Sequence, residues 1–241
     1  MATVRTFWKK LKNFAADIIY PAKYCCLLCG LEIFDGNYLC ADCFKDLALN
    51  DGVTCPKCGR KTAKNEICIE CKKNRPAYDR AFSPLLYEKN SAKLVSGFKS
   101  ENPHYATYLA ELMVYEIKDI PRADGIVYVP MTKRTQRIRG YNQAKLLAEA
   151  FSEIVGLPVL YDVVQKIKDT PAQKELPREK RLKNLIGCFS ADKEAVKGKT
   201  LILLDDVMTT GATADCVAKT LKTAGAYAVY VITAASVEHE K

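Results

Sequence analysis

The sequence predicts an α/β protein, with a parallel sheet covered by helices on both faces and a small cysteine-rich, zinc-binding domain before it. From about residue 78, apolar runs alternate with segments of helical periodicity, which is typical of a parallel sheet. Before that residue, cysteines recur in C-x-x-C pairs, the spacing used by structural zinc sites. We therefore divide the chain into residues 1–77, an N-terminal helix and zinc-finger domain, and residues 78–241.

The sheet region contains alternating strand and helix signals. Short runs of branched apolar residues predict strands at 81–87, 125–130, 158–167, 200–206 and 226–234. Apolar residues at helical spacing predict helices at 92–99, 105–117, 142–155, 178–185 and 213–224. A chain of 241 residues is long enough for one such core and a small accessory domain.

The N-terminal segment favours a cytoplasmic protein. Charged residues interrupt the apolar stretch before Pro21, so it does not resemble a signal peptide. Its apolar side chains recur at helical spacing, and we expect this helix to pack on its own domain, although its lysines also suit a membrane surface. The formal charge of +9 falls to about +5 once two zinc ions bind eight thiolates. This modest excess permits a polyanionic partner without requiring one.

The cysteine pairs predict two structural Zn²⁺ ions. A C-x-x-C pair places two thiolates on one turn, and two such knuckles complete a tetrahedral site. Disulfides are disfavoured because the chain carries no export signal. The spacing leaves open whether the knuckles pair sequentially or interleave. Cys25 is expected to stand outside the site, with its replacement of Cys26 as a ligand the alternative. Cys188 and Cys216 lie among apolar residues and are predicted to be core residues. The predicted ligands are Cys26, Cys29, Cys40, Cys43, Cys55, Cys58, Cys68 and Cys71.

The most informative stretch is 201–213. A buried strand ends in Asp205 and Asp206, and a loop of small polar residues then leads into a helix. Backbone N–H groups at a helix N-terminus bind phosphate, and paired carboxylates accept hydrogen bonds from vicinal hydroxyls. A ribose 5-phosphate satisfies both. The alternative is an ordinary turn in which Asp206 caps the helix, but a cap explains one carboxylate and not two. The predicted binding residues are Asp205, Asp206, Thr209, Thr210, Gly211, Ala212 and Thr213.

Two further polar segments, predicted to be loops, follow predicted strands of the same sheet. Residues 129–143 carry four cationic side chains between Lys133 and Arg139. Residues 168–178 are polar and bounded by prolines, as in a loop that closes over a substrate. Each segment alone is more often a solvated charged surface. Both gain significance because function in parallel sheets lies at the carboxyl ends of the strands.

The motifs together resemble a known family. The D-D-V-x-T-T-G-A-T string resembles the 5-phosphoribosyl-1-pyrophosphate (PRPP) signature of type I phosphoribosyltransferases. Four C-x-x-C knuckles, V-P-x-x-x-R…R-G-Y-N-Q, Q-x-x-L…R-x-x-N and this string occur in the order found in the ComF family, whose members join a zinc finger to a phosphoribosyltransferase domain. The resemblance covers residues 20–236. One departure is Phe98-Lys99-Ser100, where a Lys-aromatic pair is expected.

The resemblance implies a type I phosphoribosyltransferase-like sheet that binds PRPP with Mg²⁺. It implies that Asp205 and Asp206 hold the ribose, that residues 209–213 hold the 5-phosphate, and that a lid contains Gln173 and Arg181. The loop facing the pyrophosphate would contain Thr132, Lys133 and Arg139. It also implies a role in natural transformation, with single-stranded DNA and the uptake machinery at the inner membrane as partners.

Three other functions compete with this one. A nucleotide-salvage transferase is disfavoured because few residues follow the last predicted strand, which leaves no hood for a base. A glutamine-dependent amidophosphoribosyltransferase is disfavoured because residue 2 is Ala, and that chemistry needs a nucleophile such as an N-terminal Cys. A non-catalytic PRPP sensor or DNA-binding adaptor stays open, because the sequence does not identify an acceptor.

Overall fold

The computed structural model describes residues 24–98, 104–168, 184–185 and 187–238. The helices are α1 (Ala41–Lys45), α2 (Ile69–Lys73), α3 (Lys89–Gly97), α4 (His104–Glu116), α5 (Lys133–Arg139), α6 (Gln143–Val155), α7 (Lys193–Val196) and α8 (Ala212–Thr223). The strands are β1 (Leu47–Leu49), β2 (Arg80–Phe82), β3 (Leu85–Glu88), β4 (Gly125–Tyr128), β5 (Val164–Lys166), β6 (Phe189–Ala191), β7 (Thr200–Met208) and β8 (Ala228–Ser236).

The main sheet is largely parallel, in the order β1-β3-β8-β7-β4. The strands β2 and β3 lie one after the other along the same edge of β8, and both run parallel to it. β7 pairs with β8 over its whole length and with β4 at its start. The apolar run that opens β7 is completely buried, as expected for a central strand covered on both faces.

Alternate residues of β7 enter two different hydrophobic clusters. Ile202 and Leu204 belong to one cluster, which includes residues of α4 and α6. Leu201 and Leu203 belong to the other, which includes residues of α8. Side chains alternate between the faces of a strand, so these clusters lie on opposite faces of the sheet. The predicted fold class, a parallel sheet with helices on both faces, is confirmed.

Two predicted strands differ from the structure. The strand predicted at 81–87 is interrupted between β2 and β3, where Pro84 has no N–H to donate and Ser83 hydrogen-bonds through its hydroxyl to Thr233 at 2.6 Å. The strand predicted at 158–167 was wrong for most of its length. Val159 forms only an isolated parallel bridge with Ile126, and Asp162 takes a positive φ of 59°, which ends the extended conformation.

After that turn, β5 pairs with β6 in a separate antiparallel sheet. The helix predicted at 178–185 lies outside the described residues except for its last two positions. The helices predicted at 92–99, 105–117, 142–155 and 213–224 correspond to α3, α4, α6 and α8.

The cysteine-rich region packs directly against the sheet. Its strand β1 adds to the sheet edge by pairing antiparallel with β3, and Leu47 belongs to the same hydrophobic cluster as Leu85. Asn50 donates from its amide to the carbonyls of Gly59 and Ser83, both at 2.8 Å. The boundary between residues 77 and 78 stays a prediction, and these contacts lie across it. Among the described residues, no helix is long and apolar enough to cross a membrane.

Candidate functional site

The eight paired cysteines form two candidate metal centres. Four sulfur atoms in each lie within 4.8 Å of one another, so the knuckles pair sequentially and not in an interleaved way. Zn–S bonds of about 2.3 Å in a tetrahedron place the sulfurs about 3.8 Å apart. The Sγ atoms of Cys29 and Cys40 are 3.7 Å apart, and those of Cys58 and Cys68 are 3.8 Å apart. The donor sets therefore fit Zn²⁺. They are Cys26, Cys29, Cys40 and Cys43 in the first centre, and Cys55, Cys58, Cys68 and Cys71 in the second.

Both centres are built by the same local structure. In each, the N–H of the glycine after the first knuckle, Gly30 or Gly59, donates to the carbonyl of the first cysteine at 2.9 Å. The first cysteine of the second knuckle is the N-cap residue of a short helix, α1 or α2. Cys25 is exposed and stands outside the cluster, as expected. Cys188 is buried in the core, whereas Cys216 is only partly buried.

The carboxylate pair lies near the carboxyl end of β7. The N–H of Asp206 donates to the carboxylate of Asp205 at 3.0 Å, and the N–H of Val207 donates to that of Asp206 at 2.8 Å. Asp205 is partly buried, and this desolvation, together with the adjacent charge of Asp206, raises the pKa of Asp205 well above its ordinary value. A cation or hydroxyl donor at this position would relieve the unfavourable charge. The pair therefore has the chemistry of a site for a polyhydroxylated or cationic group.

The loop after β7 presents backbone donors at the start of α8. Gly211 is the N-cap residue of this helix and provides no side-chain cap. The N–H of Ala212 contacts the Thr210 hydroxyl at 3.4 Å, while Thr209 is exposed and Thr213 is partly buried. Gly211 has a φ of +76°, a conformation that glycine adopts without steric cost. An uncapped N-terminus of this kind favours an anion.

The cationic segment after β4 lies at the same edge of the sheet as this loop. Tyr128 pairs with Leu204, and the N–H of Val129 donates to the Leu204 carbonyl at 3.0 Å, so the neighbouring strands end at the same edge of the sheet. Asn142 fixes the far end of the segment, since its amide donates to the Val129 carbonyl at 3.1 Å. The segment after β4 and the loop after β7 therefore share the carboxyl edge.

The prediction that residues 129–143 form a loop was wrong in part, because α5 occupies their centre. Thr132 is the buried N-cap residue of α5, and its hydroxyl accepts from the N–H of Thr135 at 3.2 Å. Lys133 and Arg139 are exposed at the two ends of this helix. The sequence KRTQRIR has no apolar periodicity, so no helical signal was visible. Gln173 and Arg181, the predicted lid residues, lie outside the described residues.

Three residues below the loop after β7 were not predicted. An ideal Cβ on Gly211 would lie 3.5 Å from the Tyr78 hydroxyl and 3.6 Å from an Nη atom of Arg60. Both side chains are almost completely buried, and burial raises the pKa of Tyr78. Asp215, one turn into α8, accepts from the N–H of Ala77 at 2.7 Å. Arg60 comes from the second cysteine cluster, which therefore reaches the loop.

The fold and the sites define a class of protein: a parallel α/β domain with a carboxylate pair and a small polar loop at its carboxyl edge, joined to two Cys₄ ribbons. Residues 15–72 match the family model described as "Double zinc ribbon domain". This match agrees with the sequential pairing of the cysteines.

The chain has homologues over most of its length. It is 29% identical over 208 residues to "Competence protein F" of Haemophilus influenzae, which covers 81% of this chain and 89% of that protein. It is 28% identical over 215 residues to "DNA utilization protein YhgH" of Escherichia coli K12, with 86% and 94% covered. "Competence protein ComFC" of Bacillus subtilis is 26% identical over 203 residues, with 76% and 77% covered. These homologues confirm the resemblance to the ComF family.

Solved structures of phosphoribosyltransferases show lower similarity. The PRPP amidotransferase of B. subtilis matches 61% of this chain with a TM-score of 0.37 and 18% identity, and the match spans only 27% of that protein. Adenine phosphoribosyltransferase of Thermoanaerobacter pseudethanolicus matches 56% of this chain and 82% of its own, with a TM-score of 0.36 and 14% identity. The description of the fold rests on the strand order and register given above.

Proposed function

We propose that this protein binds PRPP at the carboxyl edge of its sheet and supports the uptake or handling of single-stranded DNA in natural transformation. The observation that carries the proposal is the succession of Asp205, Asp206 and the Gly211 loop at the end of one strand. Along the chain, carboxylates suited to ribose hydroxyls are followed by backbone donors suited to a phosphate. This succession matches the hydroxyls and the 5-phosphate of ribose 5-phosphate.

The electrostatics of the edge support a ligand with separate anionic and polar parts. The raised pKa of Asp205 means that it is energetically unfavourable to keep both carboxylates ionised in the ligand-free site. Hydroxyl donors or a cation would reduce this penalty. The N-terminus of α8 and the exposed cations of α5 favour phosphate groups. PRPP combines a vicinal diol with a monophosphate and a pyrophosphate, so one ligand uses all three features.

Mg²⁺ completes this proposal. It prefers oxygen ligands, keeps several waters, and binds through one or two carboxylates together with substrate phosphates. Asp205 and Asp206 are the carboxylates available at this edge, and Lys133 and Arg139 would neutralise the remaining charge of the pyrophosphate. If the protein is catalytic, departure of pyrophosphate from C1 of the ribose is promoted by positioned charge. No covalent nucleophile is required.

The DNA role rests on the homologues and on exposed charge. Two relatives are called competence proteins and one is called a DNA utilization protein. The side chains of Lys133, Arg134 and Arg137 are exposed on α5, where they are available to backbone phosphates. We place this activity on the cytoplasmic side of the inner membrane, as a peripheral function.

Calorimetric titration with PRPP and Mg²⁺ tests the proposed ligand. We expect PRPP to bind the zinc-loaded protein and to raise its melting temperature. At a ligand concentration 100 times the Kd the stabilisation is about 2.7 kcal/mol, which corresponds to roughly 5–10 °C for a protein of this size. The double variant D205N/D206N should lose both effects while remaining folded.

Normal PRPP binding by that double variant would contradict the ribose assignment. A measurement of pyrophosphate release distinguishes a transferase from a non-catalytic sensor or adaptor. Release of pyrophosphate in the presence of a nucleobase or another acceptor would identify a transferase. Tight binding without release of pyrophosphate would favour the sensor or adaptor.

A further inference from the structure

The two zinc ribbons differ at one equivalent position. Each ribbon begins with C-x-x-C-G, and the residue after this glycine is Leu31 in the first ribbon and Arg60 in the second. Both residues accept through their carbonyls from the N–H of the first cysteine at 2.8 Å. Their side chains have opposite environments, because Leu31 is 59% exposed and Arg60 is 5% exposed. The apolar side chain is therefore in solvent and the cationic one is buried.

The burial of Arg60 follows from how the second ribbon docks on the sheet. An ideal Cβ on Gly59 would overlap the Ala81 carbonyl oxygen, whereas one on Gly30 would meet nothing within 4 Å. The N–H of Ala81 donates to the Lys57 carbonyl at 2.9 Å, and the Lys57 ammonium donates to the Tyr78 carbonyl. This close backbone contact holds the first knuckle of the second ribbon against β2 and orients the next residue inward.

The guanidinium of Arg60 reaches the loop that starts α8. One of its Nη atoms lies 3.6 Å from the position of a Cβ on Gly211, beside the Tyr78 hydroxyl at 3.5 Å. Since both side chains are buried, they lie under the loop and not on its solvent side. A cation in this position adds to the positive potential of the helix N-terminus, and low-dielectric surroundings strengthen that effect.

We infer that Arg60 is a positioning residue for the phosphate-binding loop, through which the second zinc ribbon forms part of the PRPP site. This inference rests on the proposed function. Arg60 acts through the loop at Gly211, holding the backbone N–H groups of the loop in place and favouring an anion above them. Loading of the second zinc site and binding of the 5-phosphate are therefore thermodynamically coupled. Within the part of the chain that the structure describes, the first ribbon shows no such contact with the loop.

Substitution of Arg60 tests the inference in the zinc-loaded protein that contains both ribbons and the sheet. We expect R60Q to weaken the binding of PRPP and of ribose 5-phosphate by tenfold or more, a coupling of ordinary size. The binding of pyrophosphate should change less than twofold. R60K should restore part of the affinity, because it returns the charge without the planar fork of donors. The matched control is K61Q, which removes a charge from the next, exposed position of the same ribbon.

The outcomes separate this inference from the proposed function. If the unmodified protein does not bind PRPP, the proposed function fails. If it binds PRPP and a folded R60Q variant with two zinc ions binds equally well, the inference alone is overturned. An equal loss of pyrophosphate and ribose 5-phosphate affinity also overturns it, because that result indicates general damage to the site.

A second measurement needs no variant and covers the case in which R60Q does not fold. Coupling is reciprocal, so PRPP should slow the loss of zinc from the second ribbon under a chelator. Alkylation of the released thiols, followed by peptide mass spectrometry, identifies which ribbon has opened. We expect PRPP to protect Cys55, Cys58, Cys68 and Cys71 at least threefold and to leave the cysteines of the first ribbon unprotected. Equal rates with and without PRPP would contradict the coupling.

Discussion

The backbone N–H of Asp206 donates to the side-chain carboxylate of Asp205 at 3.0 Å. This bond does not remove the unfavourable charge, because burial and the charge of Asp206 still raise the pKa of Asp205. The folded protein therefore binds a proton at Asp205 more tightly than the unfolded chain does. By linkage, stability falls as pH rises from the ordinary aspartate pKa through the raised one.

The substitution D205N should therefore stabilise the ligand-free protein at neutral pH. Asn keeps the oxygen that accepts the N–H of Asp206 and removes the charge. The difference in melting temperature between variant and unmodified protein should be small below about pH 4, where both carry a neutral side chain, and should grow toward neutrality. Thermal unfolding from pH 3.5 to 8 measures it, with D51N, at an exposed position, as the control. A difference independent of pH would contradict the assignment of the raised pKa.

The close approach of the second ribbon to β2 predicts unequal effects of two equivalent substitutions. Gly30 and Gly59 have φ values of +74° and +68°, so alanine imposes a similar backbone cost at both, about 1 kcal/mol. At Gly59 the new Cβ also collides with the Ala81 carbonyl oxygen, and such overpacking adds roughly 2 kcal/mol. We expect G59A to destabilise the protein by about 3 kcal/mol in urea denaturation. Equal losses for G30A and G59A would show that the second ribbon is not held tightly against β2.

The two Cys₄ centres predict two zinc ions per chain. Elemental analysis should find two equivalents in the unmodified protein and in C25S, because Cys25 stands outside the clusters. The neighbouring substitution C26S should remove one equivalent and lower stability by more than about 2 kcal/mol, since small metal modules derive much of their stability from the ion. If C26S retained two equivalents of zinc and C25S lost one, Cys25 and not Cys26 would be the zinc ligand.

The parts of this structure that local sequence determines were predictable. The C-x-x-C spacing identifies ligands because two thiolates on one turn need only nearby residues. The run that opens β7 identifies a central strand because all four residues, Leu201 to Leu204, are apolar. The structure then brings the loop after β7 and the segment after β4 to one edge, as the parallel order predicts.

Features that lack a local sequence signal, or that depend on distant contacts, were not predictable. The helix α5 has no apolar face to detect, and only the Thr132 cap marks its start. The strand predicted at 158–167 fails because β5 pairs with β6, which lies far along the chain. Arg60 looks like a surface cation in the sequence and is buried only because the second ribbon docks on β2. Alignment of the two ribbons on each other offered a signal, since Leu31 and Arg60 are chemically unlike at an equivalent position.

The exposed face of α5 predicts how single-stranded DNA binds. Lys133, Arg134 and Arg137 are exposed on this helix, at the same edge of the sheet as the loop proposed to hold PRPP, and Tyr141 lies just beyond its end. Contacts of such cations with phosphates release counterions, so affinity should fall steeply with salt, by a logarithmic slope of about 0.7 for each contact with a single strand. Stacking on an aromatic ring adds affinity with little dependence on base sequence.

The variant R134Q/R137Q should therefore weaken the binding of an oligonucleotide and reduce the salt slope by about 1 to 1.5, while leaving the apo melting temperature unchanged within about 2 °C. Fluorescence anisotropy between 50 and 250 mM salt measures both quantities. The control is K193Q/K197Q, which removes two exposed charges at α7, just before the amino end of β7 and thus at the opposite edge of the sheet.

Competition with PRPP tests whether DNA and PRPP bind to the same cations. If DNA and PRPP use the same cations, PRPP with Mg²⁺ should displace the oligonucleotide from the unmodified protein. If the cations of α5 serve only the pyrophosphate, K133Q/R139Q should weaken PRPP binding, and both this variant and R134Q/R137Q should leave any DNA binding unchanged. Absence of DNA binding even at 50 mM salt would remove the physical support for a DNA role, and a PRPP sensor would then be the better interpretation of the same carboxyl edge.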